Sequence, residues 1–401
     1  MSQIIYPVTS AYFIMTENCN LRCRYCFEKD TRSTTKIMDE KTAFKMIDFL
    51  FDEAIKYDSK DTIHCTFFGG EPMLALDLCE SMLKYGDKKR TETGKPIRFS
   101  IITNGTIYND KVEHMLQLWY DLYGTVDIQL SIDGVPEVQN KNRPCANTNL
   151  ESAKLVEEAV PKFKKFLETH GLNKDCLYIH SVVTHATIPL LWDSYRYFLG
   201  TLGVGFEFAW LIEDEWVDED VRILDEQLSK IIPHLAQCTT NIRRFPFKRF
   251  DRCSGCGSGR ALLAIDTEGN LYPCHRFYFY SLNIRSEMIF GNIHNDEPID
   301  YNIREQFLTL DERKMSDKPC QVCVAVNYES TGDLYKRPSD FDQKFMVIIN
   351  HHYAKFADMI ERRSLVESVQ FLTEKTNTLE KEIEKIKSVM FDILTNKNTD
   401  Q

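Results

Sequence analysis

The sequence predicts an α/β chain built on a partial (β/α)6 barrel, followed by a small cysteine-rich extension and a helical tail. Short apolar runs bounded by turn residues alternate with longer segments of helical periodicity, the pattern of parallel βα units. The residues best suited to chemistry fall just after the apolar runs, at the strand ends where such barrels carry their catalytic loops. Five cysteines at 253, 256, 274, 320 and 323, and then a stretch from Ser339 onward with no glycine or proline, set the extension and the tail apart.

In chain order, residues 12–16 form the first strand and feed a cysteine loop. Residues 39–57 follow as a helix, with Ala43, Phe44, Met46, Ile47 and Leu50 on one side. Ile63–Phe68 is a strand and 74–85 a helix; Ile97–Thr103 is a strand and 110–118 a helix. Residues 126–132, 177–184 and 205–211 supply three more strands, separated by helices at 150–169 and 188–199. Six units are too few for an eight-stranded barrel. An open barrel leaves a lateral mouth wide enough for a large substrate.

Cys19, Cys23 and Cys26 stand in a C-x3-C-x2-C run, with Tyr25 before the last cysteine and Phe27 after it. Three thiolates on one tight loop can hold three irons of a 4Fe–4S cluster, which usually takes four cysteines. The fourth iron is then open to a ligand, and a vacant coordination position is what a reactive metal centre needs. A zinc site would want four protein ligands, and no histidine or fourth cysteine lies nearby in sequence. A disulfide would leave one thiol over, and nothing points to an oxidising compartment. Core cysteines would not be set among Asn18, Asn20 and Arg22.

The run resembles the cluster loop of the radical S-adenosylmethionine (SAM) superfamily, Cys-x3-Cys-x-aromatic-Cys, with Tyr25 in the aromatic slot. Further motifs follow in that family's order. Gly69, Gly70, Glu71 and Pro72 match the Gly-Gly-Glu-Pro motif that holds the SAM amino group. Thr103 and Asn104 close the next strand, and Ser131 and Asp133 match the ribose-side positions. Arg143 matches a residue that reaches the SAM carboxylate, and Val183 lies on the later strand that packs on adenine. Alone, each motif is what an ordinary turn after a strand would show; in order, behind the cysteine loop, chance is a poor explanation. The resemblance implies that SAM chelates the open iron and that one electron splits its sulfonium. The 5′-deoxyadenosyl radical so released abstracts hydrogen from an unactivated C–H bond.

The second cysteine group begins with Cys253 and Cys256, continues at Gly269-x4-Cys274 and ends at Cys320 and Cys323. It resembles the auxiliary-cluster extension of peptide-modifying radical SAM enzymes, the SPASM domain. Five thiols are too few for the two clusters of that domain, so the shortened twitch type with one auxiliary 4Fe–4S cluster is expected. Cys256, Cys274, Cys320 and Cys323 are the expected ligands, with Cys253 able to replace one. Paired C-x2-C knuckles are also the shape of a zinc ribbon, which stays open on spacing alone. Cys65, Cys79, Cys145, Cys176 and Cys238 have no partner spacing and read as core or surface thiols. His64 reads as structural, His351 and His352 as solvated, and His275 as a neighbour of the Cys274 ligand.

In the tail, Leu365, Val369, Leu372, Thr376, Leu379, Ile383, Ile386, Met390 and Ile393 recur at alternating spacings of four and three. That is an a/d heptad seam. It fits a helix docked on the chain's own domain, or a coiled coil with a second copy or a partner protein; periodicity does not separate them.

At 401 residues the chain has room for two or three domains, and its 43% hydrophobic content allows a large core. The expected layout is residues 1–215 as barrel, 216–250 as helical linker, 251–336 as twitch/SPASM-like domain and 337–401 as C-terminal helices. A net charge of −11 argues against nucleic acid as a main partner. No run of about 18 apolar residues is present, so no membrane span is expected. Thirteen cysteines without a secretory signal suggest a reduced, cytoplasmic protein that uses thiols for metal.

The resemblance covers roughly residues 10–335 and implies an oxidoreductase that oxidises or crosslinks a peptide or protein, as maturases of ribosomal peptides do. An electron donor such as flavodoxin or ferredoxin would serve it. Sulfatase-maturing relatives carry glutamine just before Gly-Gly-Glu-Pro, where this chain has Phe68, so sulfatase maturation is not expected. Only 18 residues precede Cys19, which leaves leader recognition to the C-terminal helices or a separate protein. The alternatives are a small-molecule dehydrogenase with one auxiliary cluster and a non-catalytic, zinc-bound scaffold.

Overall fold

The computed structural model describes residues 6–26, 36–237, 246–247, 257–279, 286–309, 323–334 and 341–396. Its spine is one sheet. Strands β1 (Ser10–Ile14), β2 (Ile63–Phe68), β3 (Ile97–Thr103), β4 (Ile128–Ser131), β5 (Leu177–Val183) and β6 (Gly205–Trp210) lie side by side in chain order, all parallel. Helices α1 (Glu40–Lys56), α2 (Leu76–Thr93), α3 (Asp110–Tyr123), α4 (Pro136–Asn142), α5 (Ser152–Thr169) and α6 (Leu191–Arg196) fill the connections.

Apolar packing fixes this arrangement. On α1, Ala43, Met46, Ile47, Leu50, Phe51 and Ala54 recur at helical spacing and are all buried. The Asp39 carboxylate starts that helix by accepting from Thr42 N at 2.7 Å. On the sheet, Phe67 stacks on Phe99 at 5.3 Å and meets Trp119 of α3 edge-on. Each fully buried side chain of this size contributes about 1.5–3 kcal/mol, so this layer sets how helices seat on strands. The alternate residues look the other way. Tyr12, His64, Ser100, Gln129, Tyr178, His180 and Glu207 are half-buried on the concave face. They pair across strands, Tyr178 Oη with Gln129 at 2.7 Å and His180 Nδ1 with Glu207 at 3.1 Å. The inner wall of the open barrel therefore carries polar pairs among apolar residues such as Phe68, Ile102 and Val182.

Several expected elements change. The first strand sits two residues earlier than 12–16, because Thr16 has already left the sheet to bridge Ile37. Helix α2 runs on to Thr93 rather than ending near 85. Gly86 lies so close to the Phe99 ring that a Cβ there would stand 2.7 Å from it, and Arg90 lies over the Tyr123 ring. The helix expected over 188–199 is broken into a 3-10 turn, α6 and a π turn at Tyr197–Leu202. The sheet also continues past six strands. β7 (Leu262–Ile265) pairs parallel with the far side of β1, and β8 (Asn270–Tyr272) and β9 (Gly291–Asn292) add antiparallel. The described part of the cysteine-rich region thus shares a sheet with the barrel.

Helix α7 (Asp218–Gln237) covers the β6 end, and short helices α8 (His275–Phe279), α9 (Tyr301–Leu308) and α10 (Val324–Thr331) lie beyond β8. The tail is a single helix, α11 (Phe341–Asn396). Its first half runs parallel to α7: Lys344 reaches Asp218 at 2.7 Å, His352 reaches Asp225 at 2.7 Å, and Arg363 donates to Ala236 O at 3.1 Å. His352 is buried there, not solvated as expected. Among the described residues no helix is long and apolar enough to cross a membrane.

Candidate active site

The cysteine loop leaves β1 and lies across the carboxyl ends of the strands. Met15 N still bonds Phe68 O at 2.8 Å. The chain then departs and is held from the opposite side by residues 142–146. Arg22 N donates to Pro144 O at 2.7 Å, Arg24 N to Asn142 O at 2.9 Å, and Ala146 N to Asn20 O at 2.9 Å. Cys19 Sγ accepts from Leu21 N at 3.4 Å and is approached by Asn104 Nδ2 at 4.0 Å. Cys23 Sγ is approached by Arg143 Nη1 at 3.9 Å. Cys145 pairs opposite Leu21, and burial together with Cys23 pushes its thiol above the ordinary value.

The Gly69-Gly70 pair lets β2 end directly beneath this loop. Gly69 has φ +117°, a backbone region that favours glycine, and a Cβ on it would stand 2.6 Å from Thr16 O. A Cβ on Gly70 would stand 2.1 Å from Asn18 O. Gly70→Ala is therefore expected to displace the cluster loop and cost about 1–3 kcal/mol, the range of overpacking. Denaturant unfolding of the variant beside the wild type checks this. Pro72 follows at the start of a 3-10 turn that Glu71 caps. The Glu71 carboxyl is fully buried and takes three donors: Met73 N at 2.9 Å, Thr103 Oγ1 at 2.7 Å and Asn104 N at 2.8 Å. Burial pushes it above its ordinary value against the pull of those donors. Glu71 thus ties the ends of β2 and β3 together.

Asp133, just past β4, is the hub of the other side. It accepts from Tyr25 Oη at 2.7 Å, Arg143 Nε at 2.9 Å, Asn142 Nδ2 at 3.1 Å and Val182 N at 3.1 Å. The Arg143 guanidinium lies over the Tyr25 ring, 5.3 Å from its centroid. Burial alone would push Arg143 down, but Asp133, Tyr25 and Cys23 outweigh it and hold the guanidinium charged. Burial pushes the Tyr25 phenol well up, so it stays a neutral donor to Asp133.

The structure brings Cys19, Cys23, Cys26, Tyr25, Glu71, Thr103, Asn104, Asp133 and Arg143 to one end of the sheet. Ser131 is half-buried on the concave face, and Val183 is buried with the core. Phe27 lies outside the described residues, as do Cys253, Cys256 and Cys320. Cys274 is buried directly before α8, and Cys323 is half-buried directly before α10. Those two helices meet through Phe277 and Tyr328, whose ring centroids are 6.3 Å apart. His275 packs on Tyr12 at 4.3 Å and Phe68 at 4.8 Å, and burial holds it neutral by pushing it down to about 3. Tyr278 Oη donates to the buried Glu17 of the cluster loop. Sequence reasoning missed Glu17, Asn142, Cys145 and Tyr278. Asn142 carried a signal, since it adjoins Arg143; the other three act through contacts distant in sequence.

Among the described residues no three His, Cys, Asp or Glu side chains converge as a single metal ion requires. A 4Fe–4S cluster makes a different demand, one thiolate on each of three separate irons. Three cysteines on one donor-rich loop beside Arg143 fit that group.

Residues 13–175 match the model of the Radical SAM superfamily. The chain is 26% identical over 310 residues, 74% of its length and 78% of the other's, to a tungsten-containing aldehyde ferredoxin oxidoreductase cofactor-modifying protein of Pyrococcus furiosus. It is 22% identical over 302 residues to the antilisterial bacteriocin subtilosin biosynthesis protein AlbA of Bacillus subtilis, covering 71% of this chain and 57% of that one. Among solved structures it resembles native anSMEcpe with bound AdoMet and Cp18Cys peptide, with a TM-score of 0.62 at 20% identity over 88% of this chain and 99% of that one. That likeness shows a shared fold, a mixed α/β chain on a parallel sheet.

Proposed function

We propose, from the premise that residues 13–175 are a radical SAM domain, that this chain is a peptide- or protein-modifying radical SAM enzyme. The observation that carries the proposal is the joining of the cysteine loop to Glu71, Asp133 and Arg143 at the carboxyl ends of parallel strands. A 4Fe–4S cluster and SAM, when bound, supply one-electron cleavage of the sulfonium and hydrogen abstraction from a C–H bond.

The chain's own residues do the rest. Cys19, Cys23 and Cys26 hold the cluster. Asn104, Ser131 and Arg143 line the cofactor's side, Glu71 with Thr103 fixes the strand ends beneath it, and Asp133 positions Arg143 and Tyr25. The concave wall from Tyr12 to Glu207, through its polar pairs, receives the substrate backbone at the open side. Cys256, Cys274, Cys320 and Cys323, or Cys253 in place of one, would hold one auxiliary cluster, which would supply a one-electron acceptor for substrate oxidation. The division into barrel, linker, auxiliary domain and tail helices at 215, 250 and 336, a cytoplasmic setting and a flavodoxin or ferredoxin donor belong to the same proposal. The AlbA relative, named for bacteriocin biosynthesis, supports a peptide substrate.

A second reading is modification of a small molecule or cofactor, which the name of the Pyrococcus furiosus relative favours. Both are tested by incubating the reconstituted enzyme with SAM, a reductant and short peptides encoded beside its gene. The proposal expects 5′-deoxyadenosine together with a peptide whose mass falls by the hydrogens removed. Deoxyadenosine formation stimulated by a small-molecule extract and by no peptide would establish the second reading instead.

A further inference from the structure

The second half of helix α11 is exposed. Helix α7 is described as far as Gln237, and among the described residues the hydrogen bond of Arg363 to Ala236 O is the last between it and α11. The remaining length, at about 1.5 Å per residue, is on the order of 50 Å. Over this stretch Leu365, Val369, Leu372, Leu379, Ile383 and Ile386 are each at least half exposed, Leu372 at 62%. An exposed apolar stripe of this kind marks an interaction surface. Among the described residues nothing covers the stripe over 365–387.

We infer that this stripe is the seam of a parallel, in-register coiled coil with a second copy of this chain. The seam residues argue for two parallel strands. Val369, Thr376 and Ile383 occupy the a positions, all β-branched, and Leu365, Leu372, Leu379 and Ile386 occupy d; β-branched a with leucine at three of the four d positions is the combination that favours parallel dimers. The polar position is tolerable, because the Thr376 hydroxyl already donates to Leu372 O at 2.9 Å within its own helix.

The flanking charges argue for self-pairing and fix the register. In a parallel dimer each g residue faces the e residue five places on in the other helix. Lys375 then faces Glu380, and Glu382 faces Lys387, each pair occurring twice by symmetry. A slip of one heptad would set Lys375 against Lys387 on one side and Glu382 against Glu380 on the other. Only the in-register pairing is attractive at both rungs. All four side chains are exposed in the single chain. The helix is already nucleated by its docked first half, so pairing does not bear the cost of starting it.

The test is sedimentation of the full-length chain at micromolar concentration. The wild type is expected to be a dimer, and the double variant Leu372→Glu, Leu379→Glu a monomer with unchanged barrel circular dichroism. Lys375→Glu alone and Glu380→Lys alone should each weaken dimerisation about tenfold, since each turns two symmetric attractions into repulsions. An equimolar mixture of those two variants restores both rungs and should dimerise as tightly as the wild type. A monomeric wild type would overturn the inference and leave the stripe to a different partner. A mixture no tighter than either variant alone would overturn the parallel, in-register arrangement.

Discussion

Asp133→Ala is expected to lower stability by about 3–5 kcal/mol, the cost of removing one member of a buried ion pair. The reason is what it leaves behind. Arg143 is itself buried, 2.9 Å from Asp133, and the other groups that hold it charged are a phenol and a cysteine sulfur. Tyr25, Asn142 and Val182 lose the same acceptor at once. Asp133→Asn keeps the volume and one acceptor oxygen, so it should fall between the variant and the wild type. Against a total stability of about 5–15 kcal/mol, the alanine variant should show a much earlier denaturant midpoint. Its SAM cleavage should fall as well, because Arg143 and Tyr25 flank the cluster loop. An unchanged midpoint would mean that Asp133 is not the hub that its hydrogen bonds describe.

Cys23→Ala is expected to abolish 5′-deoxyadenosine formation while the protein stays soluble and folded. The loop's position does not depend on that sulfur. It is set by Arg22 N and Arg24 N on residues 142–144 and by Gly70 N on Thr16 O. Loss of one thiolate leaves two protein ligands, fewer than a site-differentiated cluster needs. Cleavage assays beside far-ultraviolet circular dichroism separate the two effects. Retained cleavage would remove Cys23 from the active site.

The strands were legible because buried parallel strands are written as apolar runs between turn residues. Ile63–Phe68 and Ile97–Thr103 are found as expected. The chemistry was legible because it sits at the ends of those runs. What escaped depends on contacts distant in sequence. The polar run after Tyr85 looked like the end of α2, yet Gly86 against Phe99 and Arg90 over Tyr123 carry the helix on. Leu262–Ile265 lay among cysteines and was not read as a strand, although β1 recruits it as a parallel neighbour. Asp133 was read only as a ribose-side residue. Its role as an acceptor for four groups needed the fold to bring Tyr25, Arg143 and Val182 together. In the tail the seam was plain, but its exposure over 365–386 could be seen only in the fold.

The most direct test of the central claim is the iron and sulfide content of anaerobically reconstituted protein, with 5′-deoxyadenosine formation assayed in the same sample. Two four-iron clusters predict about eight irons per chain, together with deoxyadenosine that requires reductant. Protein that binds no iron–sulfur cluster and releases no deoxyadenosine would contradict the account.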